Sequence, residues 1–334
     1  MSLVLVPVSS AGTLTCRVPQ DEPTVQAAID NANCAVIKLG TGTFTENVEA
    51  HRSFVLVGKG MDNTFLSGGD VFRTLGIGDD AQEVSIRNLT IADGRANVGG
   101  AALFSDSEKL TLKRVRIANS EVNYTGTPEQ REGAGMYASG QIKMIDSIVT
   151  GNEFQGDEIG LGAGIFVAYQ SKLTMTNSLV TKNVGAGGGG IYSVSPVVIR
   201  NSTISENTAT HQLGGGAGIV INAGKLSVFD STIKKNTALA PAPRGGGIFV
   251  MQNGELSLTR SLVVGNKAPD GGGIYVGEGT ATIKDSTIRK NHSAPGFGGG
   301  VFVGIKQQSG TQRSSRTPPK MGAAPSRTTV AKHR

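Results

Sequence analysis

The chain of 334 residues contains no tryptophan, only 5% aromatic residues and only 17% charged residues. The scarcity of aromatic rings weighs mildly against a groove that stacks on sugars. No apolar stretch reaches the ~18 residues that a membrane-spanning helix needs, so the sequence predicts no membrane span. Because 38% of the residues are apolar and charge is low, the composition also argues against disorder over most of the chain.

Cysteine is nearly absent as well, since the chain has only Cys16 and Cys34. In a secreted protein they would form one disulfide near the amino terminus, whereas in a reducing compartment they would be two buried thiols. The first residues, MSLVLVPVSSAG, place an apolar run ahead of small residues but lack the basic residues that begin a secretion signal. Residues 1–12 are therefore expected to be the remnant of a signal, a first β-strand or the product of a truncated gene start.

Acidic residues are missing from residues 305–334. This segment carries seven basic residues: Lys306, Arg313, Arg316, Lys320, Arg327, Lys332 and Arg334. Without them 25 basic residues face 26 acidic ones, so the formal charge of +6 belongs to this segment. We therefore expect no specific nucleic-acid or other polyanion binding by the rest of the chain. The segment is polar, and we predict a basic disordered tail, either native or an artefact of the gene end.

Glycine, in contrast, occupies 48 positions, without the Gly-X-Y period of collagen. Much of it lies in a motif of small residues followed by an aliphatic residue. The copies are GAALFS (100–105), GAGMYA (133–138), GAGIFV (162–167), GGGIYS (188–193), GAGIVI (216–221), GGGIFV (245–250), GGGIYV (271–276) and GGGVFV (298–303). Their aliphatic residues are 26 to 33 positions apart, which is a typical repeat length for solenoid proteins.

A second motif alternates with the first and ends in asparagine. The copies are DSIVTGN (146–152), NSLVTKN (177–183), NSTISEN (201–207), DSTIKKN (230–236), RSLVVGN (260–266) and DSTIRKN (285–291). Between the two motifs lies a short alternating stretch such as KLTMT (172–176), so each period holds three short β-strands. Such strands cannot bury a face alone, whereas stacked coils can. The sequence predicts a parallel β-solenoid of about ten three-strand coils, spaced by ~4.8 Å.

The repeated asparagine lies at the bend that ends the second motif. Asparagine tolerates a left-handed backbone, and identical amides in successive coils can hydrogen-bond along the axis. We predict a structural ladder rather than a ligand site, because a residue present in every coil supplies what every coil needs. Its members are Asn152, Asn183, Asn207, Asn236, Asn266 and Asn291, with Asn119 expected as the first.

The beginning of the chain agrees with a solenoid. The segment PTVQAAIDNAN (23–33) predicts a short helix that would cover the open end of the sheets. One face of this helix would carry four apolar residues: Val25, Ala28, Ile29 and Ala32. With the strand-like segments 36–48 and 54–68, this opening resembles that of the right-handed parallel β-helix superfamily, the pectate-lyase-like fold. The resemblance implies an all-β fold, a single right-handed parallel β-helix over residues 13–304 with an N-terminal capping helix.

The later repeats resemble those of bacterial surface β-helix proteins, including chlamydial polymorphic outer-membrane proteins. That family alternates a GGA-plus-aliphatic motif with Phe-x-x-Asn. Here GGGI or GAGI matches the first motif, and Ile/Val-x-x-Asn matches the second without its phenylalanine. This resemblance implies a secreted or cell-surface protein of bacterial type, with a carbohydrate or another surface ligand as its partner. Because the fold hosts binding proteins, lyases and hydrolases alike, it does not define the activity.

Enzymes of the superfamily provide an alternative function. Its pectate lyases hold Ca²⁺ with clustered acidic residues and use a basic residue as proton acceptor; the acid pairs here are Asp79–Asp80 and Asp157–Glu158, and neither recurs one coil later. Its polygalacturonases carry four motifs, of which only Asp79–Asp80 offers a match. The four histidines have no metal-ligand spacing. We therefore assign no catalytic residue and no cofactor, with Ca²⁺ expected only if the chain is a lyase.

The segments between each ladder asparagine and the next glycine motif vary in length. In a solenoid they emerge at one edge, and insertions gathered at one edge often mark a binding surface. The titratable residues expected there are Glu129, Arg131, Glu132, Asp157, Glu158, His211, Arg244, Asp270 and His292. Our leading hypothesis is an extracellular, non-catalytic binding or adhesin-like protein. The alternative is a polysaccharide lyase that acts on an acidic glycan by β-elimination.

Overall fold

The computed structural model describes residues 14–123, 132–155, 160–211, 215–239 and 244–304. The N-terminal segment and the basic C-terminal segment predicted from the sequence lie outside these ranges. The first elements are β1 (Leu14–Val18), α1 (Val25–Asp30), β2 (Cys34–Leu39), β3 (Gly42–Thr45), β4 (Val48–Ala50), β5 (Phe54–Val57), β6 (Thr64–Ser67) and β7 (Leu75–Ile77).

The middle of the chain adds β8 (Glu83–Ala92), β9 (Arg95–Ala96), β10 (Leu103–Ser105), β11 (Lys109–Ala118), β12 (Glu121–Asn123), β13 (Met136–Ala138), β14 (Gln141–Ile145), β15 (Ile148–Thr150), β16 (Glu153–Gln155), β17 (Ile165–Val167), β18 (Lys172–Thr176), β19 (Leu179–Thr181) and β20 (Val184–Gly185). The last part adds β21 (Ile191–Ser193), β22 (Val197–Arg200), β23 (Thr203–Ser205), β24 (Thr208–Ala209), β25 (Ile219–Phe229), β26 (Thr232–Lys234), β27 (Thr237–Ala238), β28 (Ile248–Thr259), β29 (Leu262–Val264), β30 (Lys267–Ala268), β31 (Ile274–Val276), β32 (Thr280–Lys284), β33 (Thr287–Arg289), β34 (His292–Ser293) and β35 (Val301–Val303).

Parallel pairing between successive coils arranges the strands in columns, as the repeats predicted. The first face holds ten strands, of which the eight from β10 onward follow the glycine motif: β4, β7, β10, β13, β17, β21, the start of β25, the start of β28, β31 and β35. The second face holds β1, β2, β5, β14, β18, β22 and β32, with the start of β8 and β11 and the end of β25 and β28. The solenoid fold is thus confirmed.

The third face lies between the second motif's serine and its asparagine. It holds β3, β6, β15, β19, β23, β26, β29 and β33, with the end of β8 and β11. The structure adds a fourth column that the sequence did not predict, a sheet of very short strands after the ladder asparagine. Its members are β9, β12, β16, β20, β24, β27, β30 and β34.

The interior is one continuous apolar cluster that extends from Cys16 to Val276. Identical residues stack within it, since Ile165, Ile191, Ile219 and Ile248 are directly paired in successive strands and fully buried. Burial of such a side chain stabilises the fold by about 1.5–3 kcal/mol. The strict period of the sequence therefore follows from the need to bury the same shape in each coil.

Helix α1 packs on the first coils at the start of the solenoid. Its N-cap is Thr24, whose hydroxyl accepts a hydrogen bond from the Ala27 amide at 3.0 Å. Val25, Ala28 and Ile29 are buried, as predicted, but the helix ends at Asp30, and Ala32 lies beyond it and is exposed. The Arg52 guanidinium donates to two carbonyls of the last helical turn, those of Ala28 and Ile29, and to two beyond the helix, those of Asn31 and Cys34.

Candidate functional site

The glycine motif is explained by the close approach of two coils, as in Gly188-Gly189-Gly190. Gly188 has a φ of +58°, a left-handed conformation that glycine adopts without the steric cost of a Cβ. A Cβ on Gly190 would lie 2.5 Å from the Gly218 carbonyl oxygen and 2.9 Å from Nδ2 of Asn207. The third glycine therefore leaves room for the ladder amide of its own coil and for the backbone of the next coil.

The repeated asparagines form an amide ladder inside the bend. Asn207 Nδ2 donates to Asn236 Oδ1 at 3.0 Å and to the Val180 carbonyl at 3.1 Å, and its backbone N–H donates to the same Asn236 Oδ1. The same three bonds recur from Asn183 and Asn266, and the members from Asn152 to Asn266 are fully buried. These amides are saturated by the fold, so the geometry leaves them no role as ligand groups.

The expectation that Asn119 begins this ladder was wrong. Ala118 is paired with Thr150, so Asn119 corresponds to Gly151 and Ser120 corresponds to Asn152. Ser120 donates its backbone N–H to Asn152 Oδ1 at 3.2 Å. Asn119 instead occupies the left-handed position just before the ladder, with a φ of +52°.

A second ladder, which the sequence analysis missed, lies at the bend between the second and third faces. The backbone N–H of Ser178 donates to Oγ of Ser202 at 3.0 Å, and the backbone N–H of Ser202 donates to Oγ of Ser231 at 3.1 Å. Each hydroxyl in turn donates to the carbonyl two residues earlier. Its members are Ser147, Ser178, Ser202, Ser231, Ser261 and Ser286. The invariant second letter of the asparagine-ended motif was the available signal.

The outer side of the first face carries a column of aromatic rings. It consists of Phe104, Tyr137, Phe166, Tyr192, Phe249, Tyr275 and Phe302, interrupted by Val220. The first four rings are stacked with centroids 4.8 to 5.7 Å apart and planes within 8° of parallel. The low aromatic content of the sequence therefore gave a misleading impression, because the rings are concentrated in one place.

Most ring faces in this column are already occupied. The rings cover one another, and Phe166 and Tyr192 are only 3% and 7% exposed. Guanidinium groups cover two further rings, Arg73 at 4.8 Å from the Phe104 centroid and Arg244 at 5.3 Å from the Tyr275 centroid. An extended partner would therefore meet ring edges and tyrosine hydroxyls rather than open ring faces.

Three of the predicted edge residues lie in one column, immediately before the glycine motif. Glu132 pairs with Leu161, Leu161 with Gly187, and Arg244 with Asp270. Arg244 and Asp270 are therefore neighbours, whereas Glu132 and Arg244 are four coils apart, roughly 19 Å along the axis. Asp270 Oδ1 accepts a hydrogen bond from the Phe297 amide at 2.8 Å, so this carboxylate also shapes its own loop.

The two histidines of the predicted set do not join this column. His292 is exposed in β34, where it pairs with Lys267 of β30. His211 follows β24 and donates its backbone N–H to the Ala186 carbonyl at 3.2 Å. Arg131, Asp157 and Glu158 lie outside the described residues, as does Glu129. The edge residues thus form a line along the rod, with no single convergent centre among those described.

A polar cluster lies where the aromatic column begins. Gly76 pairs with Phe104 and occupies the outward position of the column one coil earlier. Glu49 pairs with Gly76 from the other side, and its carboxylate lies where a side chain on Gly76 would be. Arg73 lies near the Glu49 carboxylate and donates hydrogen bonds to the carbonyls of Gly99 and Gly100. Burial lowers the pKa of the Arg73 guanidinium from its usual value, and the negative charges of Glu49 and Asp106 oppose this effect.

Burial also changes the pKa values of two side chains near the aromatic column, which is called the aromatic strip below. It raises the pKa of the Glu132 carboxyl, whose side chain is half-buried. It raises the pKa of Tyr137 as well, with further contributions from the negative charges of Asp106 and Glu132. The strip therefore combines carboxylates, guanidinium groups and tyrosine hydroxyls, which suits the recognition of a polar partner.

A metal site needs a close group of cysteine, histidine or carboxylate side chains. Within the described residues, the one group of three comprises Cys16, Glu22 and Cys34, and the two sulfurs are bonded to each other. Asp79 and Asp80 are exposed in the turn after β7. Within the described residues, neither of them belongs to a close group of three such side chains.

The family described as a right-handed beta helix region matches the chain over residues 31–195, 76–263 and 185–311. These overlapping matches cover most of the sequence and span the described columns of strands. No curated protein matches the chain. Among the residues described, no helix has the length and apolar character required to cross a membrane.

Proposed function

Because the chain belongs to the right-handed β-helix family, a fold that carries many activities, we propose that it is an extracellular or cell-surface binding protein of the adhesin type. The observation that supports this most is the aromatic strip of the first face, with Glu132, Arg244 and Asp270 along its edge. From Phe104 to Phe302 the strip spans eight strands, or roughly 34 Å at the strand spacing. Such a surface suits a partner that lies along the rod, for example a carbohydrate chain.

The rigidity of the strip supports binding. Its rings are stacked on one another and its guanidinium groups are held over rings, so little conformational entropy is lost when a partner is bound. The disulfide between Cys16 and Cys34 supports secretion, since such bonds persist in oxidising compartments.

Binding should be tested on immobilised glycans and on intact bacterial and host cells. Glu132→Gln with Arg244→Gln removes one charge of each sign from the edge, and Lys182→Gln with Glu206→Gln does so at the bend that precedes the ladder. We expect the edge pair to weaken binding at least about tenfold and the bend pair to leave it unchanged. Equal effects of the two pairs, or no bound glycan or cell, would refute a binding role of this edge.

A lyase remains a second candidate because of the polar cluster. Arg73 lies close to the carboxylates of Glu49 and Asp106, with the Tyr137 hydroxyl in the field of Asp106. A basic group beside carboxylates is the combination that β-elimination from an acidic glycan requires. Incubation with polygalacturonate and alginate, with and without Ca²⁺, should give no rise in ultraviolet absorbance from unsaturated ends. A rise that disappears in Tyr137→Phe or Arg73→Gln would replace the binding function by the lyase function.

A further inference from the structure

Four cations cross the outer side of the second face in consecutive coils. Arg87 lies in β8, Lys113 in β11, Lys143 in β14 and Lys172 in β18. Arg87 is directly opposite Lys113, whereas Lys143 and then Lys172 are each displaced by two residues toward the start of the strand. The four side chains therefore form a diagonal line, here called the basic diagonal, with steps of roughly 5 to 8 Å.

These cations have no acidic counterparts within the described residues. Lys113, Lys143 and Lys172 make no ion pair there, and Arg87 donates only to the hydroxyl of Ser85. Elsewhere on the same face the chain does pair its lysines, since Lys225 contacts Glu255 in the neighbouring strand. Like charges directly opposite each other destabilise a sheet. The repulsion between Arg87 and Lys113 therefore lowers the stability of the fold, and no acidic side chain among the described residues pairs with either of them.

The acidic groups nearest to the diagonal are engaged at its margins. Glu83 is directly opposite Lys109, and Glu108 forms an ion pair with the same lysine at 3.8 Å. Asp146, at the bend, accepts a hydrogen bond from Nδ2 of Asn177. A positive field therefore remains over the centre of this face, although the sequence outside residues 305–334 is slightly acidic as a whole.

We propose that the basic diagonal binds a linear acidic polysaccharide, one with sulfate or carboxylate groups repeated along its chain. Hydroxyl side chains lie directly beside Lys143, those of Thr111 and Thr174, and they can pair with sugar hydroxyls. The outward side chains of β8, β11, β14 and β18 include no aromatic ring, so these strands offer no stacking platform for the bases of a single-stranded nucleic acid. The surface is separate from the edge of the first face and does not depend on it.

The test uses the full chain, heparin as the probe and binding measured over a range of salt concentrations. The variant Lys113→Gln/Lys143→Gln/Lys172→Gln should bind at least about tenfold more weakly. Each contact between a cation and an anionic group of the chain releases close to one counterion on binding, so the loss of three contacts should make the plot of log affinity against log salt shallower by about 2. Two triple variants with the same change of net charge serve as controls. One is Lys182→Gln/Lys234→Gln/Lys235→Gln, and the other is Arg313→Gln/Arg316→Gln/Lys320→Gln in the basic C-terminal segment.

We expect both controls to change the affinity by less than about threefold, since they lie outside the diagonal. A loss of binding in the C-terminal control with retention in the diagonal variant would overturn the proposal, as would equal losses in all three, or no binding by the wild type at about 50 mM salt. Equal affinity for single-stranded DNA would overturn the assignment to a polysaccharide. A footprint provides a second readout in the wild type: bound heparin should slow the acetylation of Lys113, Lys143 and Lys172, and unchanged rates would count against the proposal.

Discussion

Asn207 donates from Nδ2 to Oδ1 of Asn236, one coil further along the rod, at 3.0 Å. The missing Cβ of Gly190 would lie 2.9 Å from the same Nδ2. The two repeated motifs of the sequence therefore depend on each other, because the buried amide of Asn207 fits only where the residue just before β21 is a glycine.

The first prediction concerns the ladder itself. Asn207→Ala removes the acceptor for the Asn183 amide groups and the donor for the Val180 carbonyl, all of which are buried. We expect a loss of about 1–3 kcal/mol in the free energy of unfolding, measured by reversible denaturation. Thr203→Ala, an outward change in the same coil, should cost far less. A loss below about 0.3 kcal/mol for Asn207→Ala would contradict a stabilising ladder.

The second prediction compares two glycines at the same motif position. In Gly190→Ala the new methyl group would lie 2.5 Å from the Gly218 carbonyl oxygen, so the coils must separate, and we expect at least about 2 kcal/mol of destabilisation. In Gly300→Ala the nearest atom is Cγ2 of Ile288 at 3.8 Å, which is ordinary contact. This variant should be neutral or slightly more stable, by up to about 1 kcal/mol. Equal melting temperatures for the two variants would contradict the explanation of the motif.

The fold was predictable because each coil needs the same residue types at the same places: small residues where coils approach closely, and an amide at the bend. The glycine motif and the ladder asparagine recur with one period, and that period alone identifies stacked strands. The serine ladder was predictable in the same way, since Ser178, Ser202 and Ser231 hold the second position of their motif copies. The prediction of Asn119 as the first ladder member was wrong because this asparagine lies one position before the one that aligns with Asn152. Only the strand register shows that Ser120 occupies the ladder position.

The candidate sites were much less predictable, since they do not repeat. The position of Glu49 over Gly76 depends on which residues face each other across two coils, and nothing in either local segment indicates it. The basic diagonal was unpredictable for the same reason. Lys113, Lys143 and Lys172 come from three coils of unequal length, so only the strand register brings them together. The net charge of the chain outside residues 305–334 is close to zero and gives no sign of them. The edge residues were expected together because their segments share an edge, but Glu132 and Arg244 are separated along the axis.

The third prediction concerns the disulfide between Cys16 and Cys34, which are 18 residues apart. Cys16→Ser/Cys34→Ser should lower the free energy of unfolding by about 3 kcal/mol under oxidising conditions, because the unfolded chain gains freedom. With a reducing agent present, the variant and the wild type should become nearly equal. Protein purified from the natural compartment without reductant should show no free thiol on alkylation. Two free thiols there would argue against secretion.

The last prediction is a pH dependence that originates from Glu132. Burial raises the pKa of this carboxyl above its usual value in the folded state, so folding favours its protonated form. The destabilisation by the charged form is absent below about pH 4.3, the usual pKa of glutamate in an unfolded chain, grows as the pH rises from there toward the raised folded-state pKa, and is complete above it. Glu132→Gln should therefore melt at a higher temperature than the wild type at pH 7, and the difference should vanish toward pH 4.

Glu278→Gln, at an exposed position, is the matched control and should show no such trend. Since the charge of Glu132 also contributes to the raised pKa of Tyr137, the variant should shift a tyrosine titration to lower pH in the ultraviolet spectrum. A melting temperature of Glu132→Gln that falls below the wild type at neutral pH would show that the ionised carboxylate stabilises the fold, and would reverse the sign argued here.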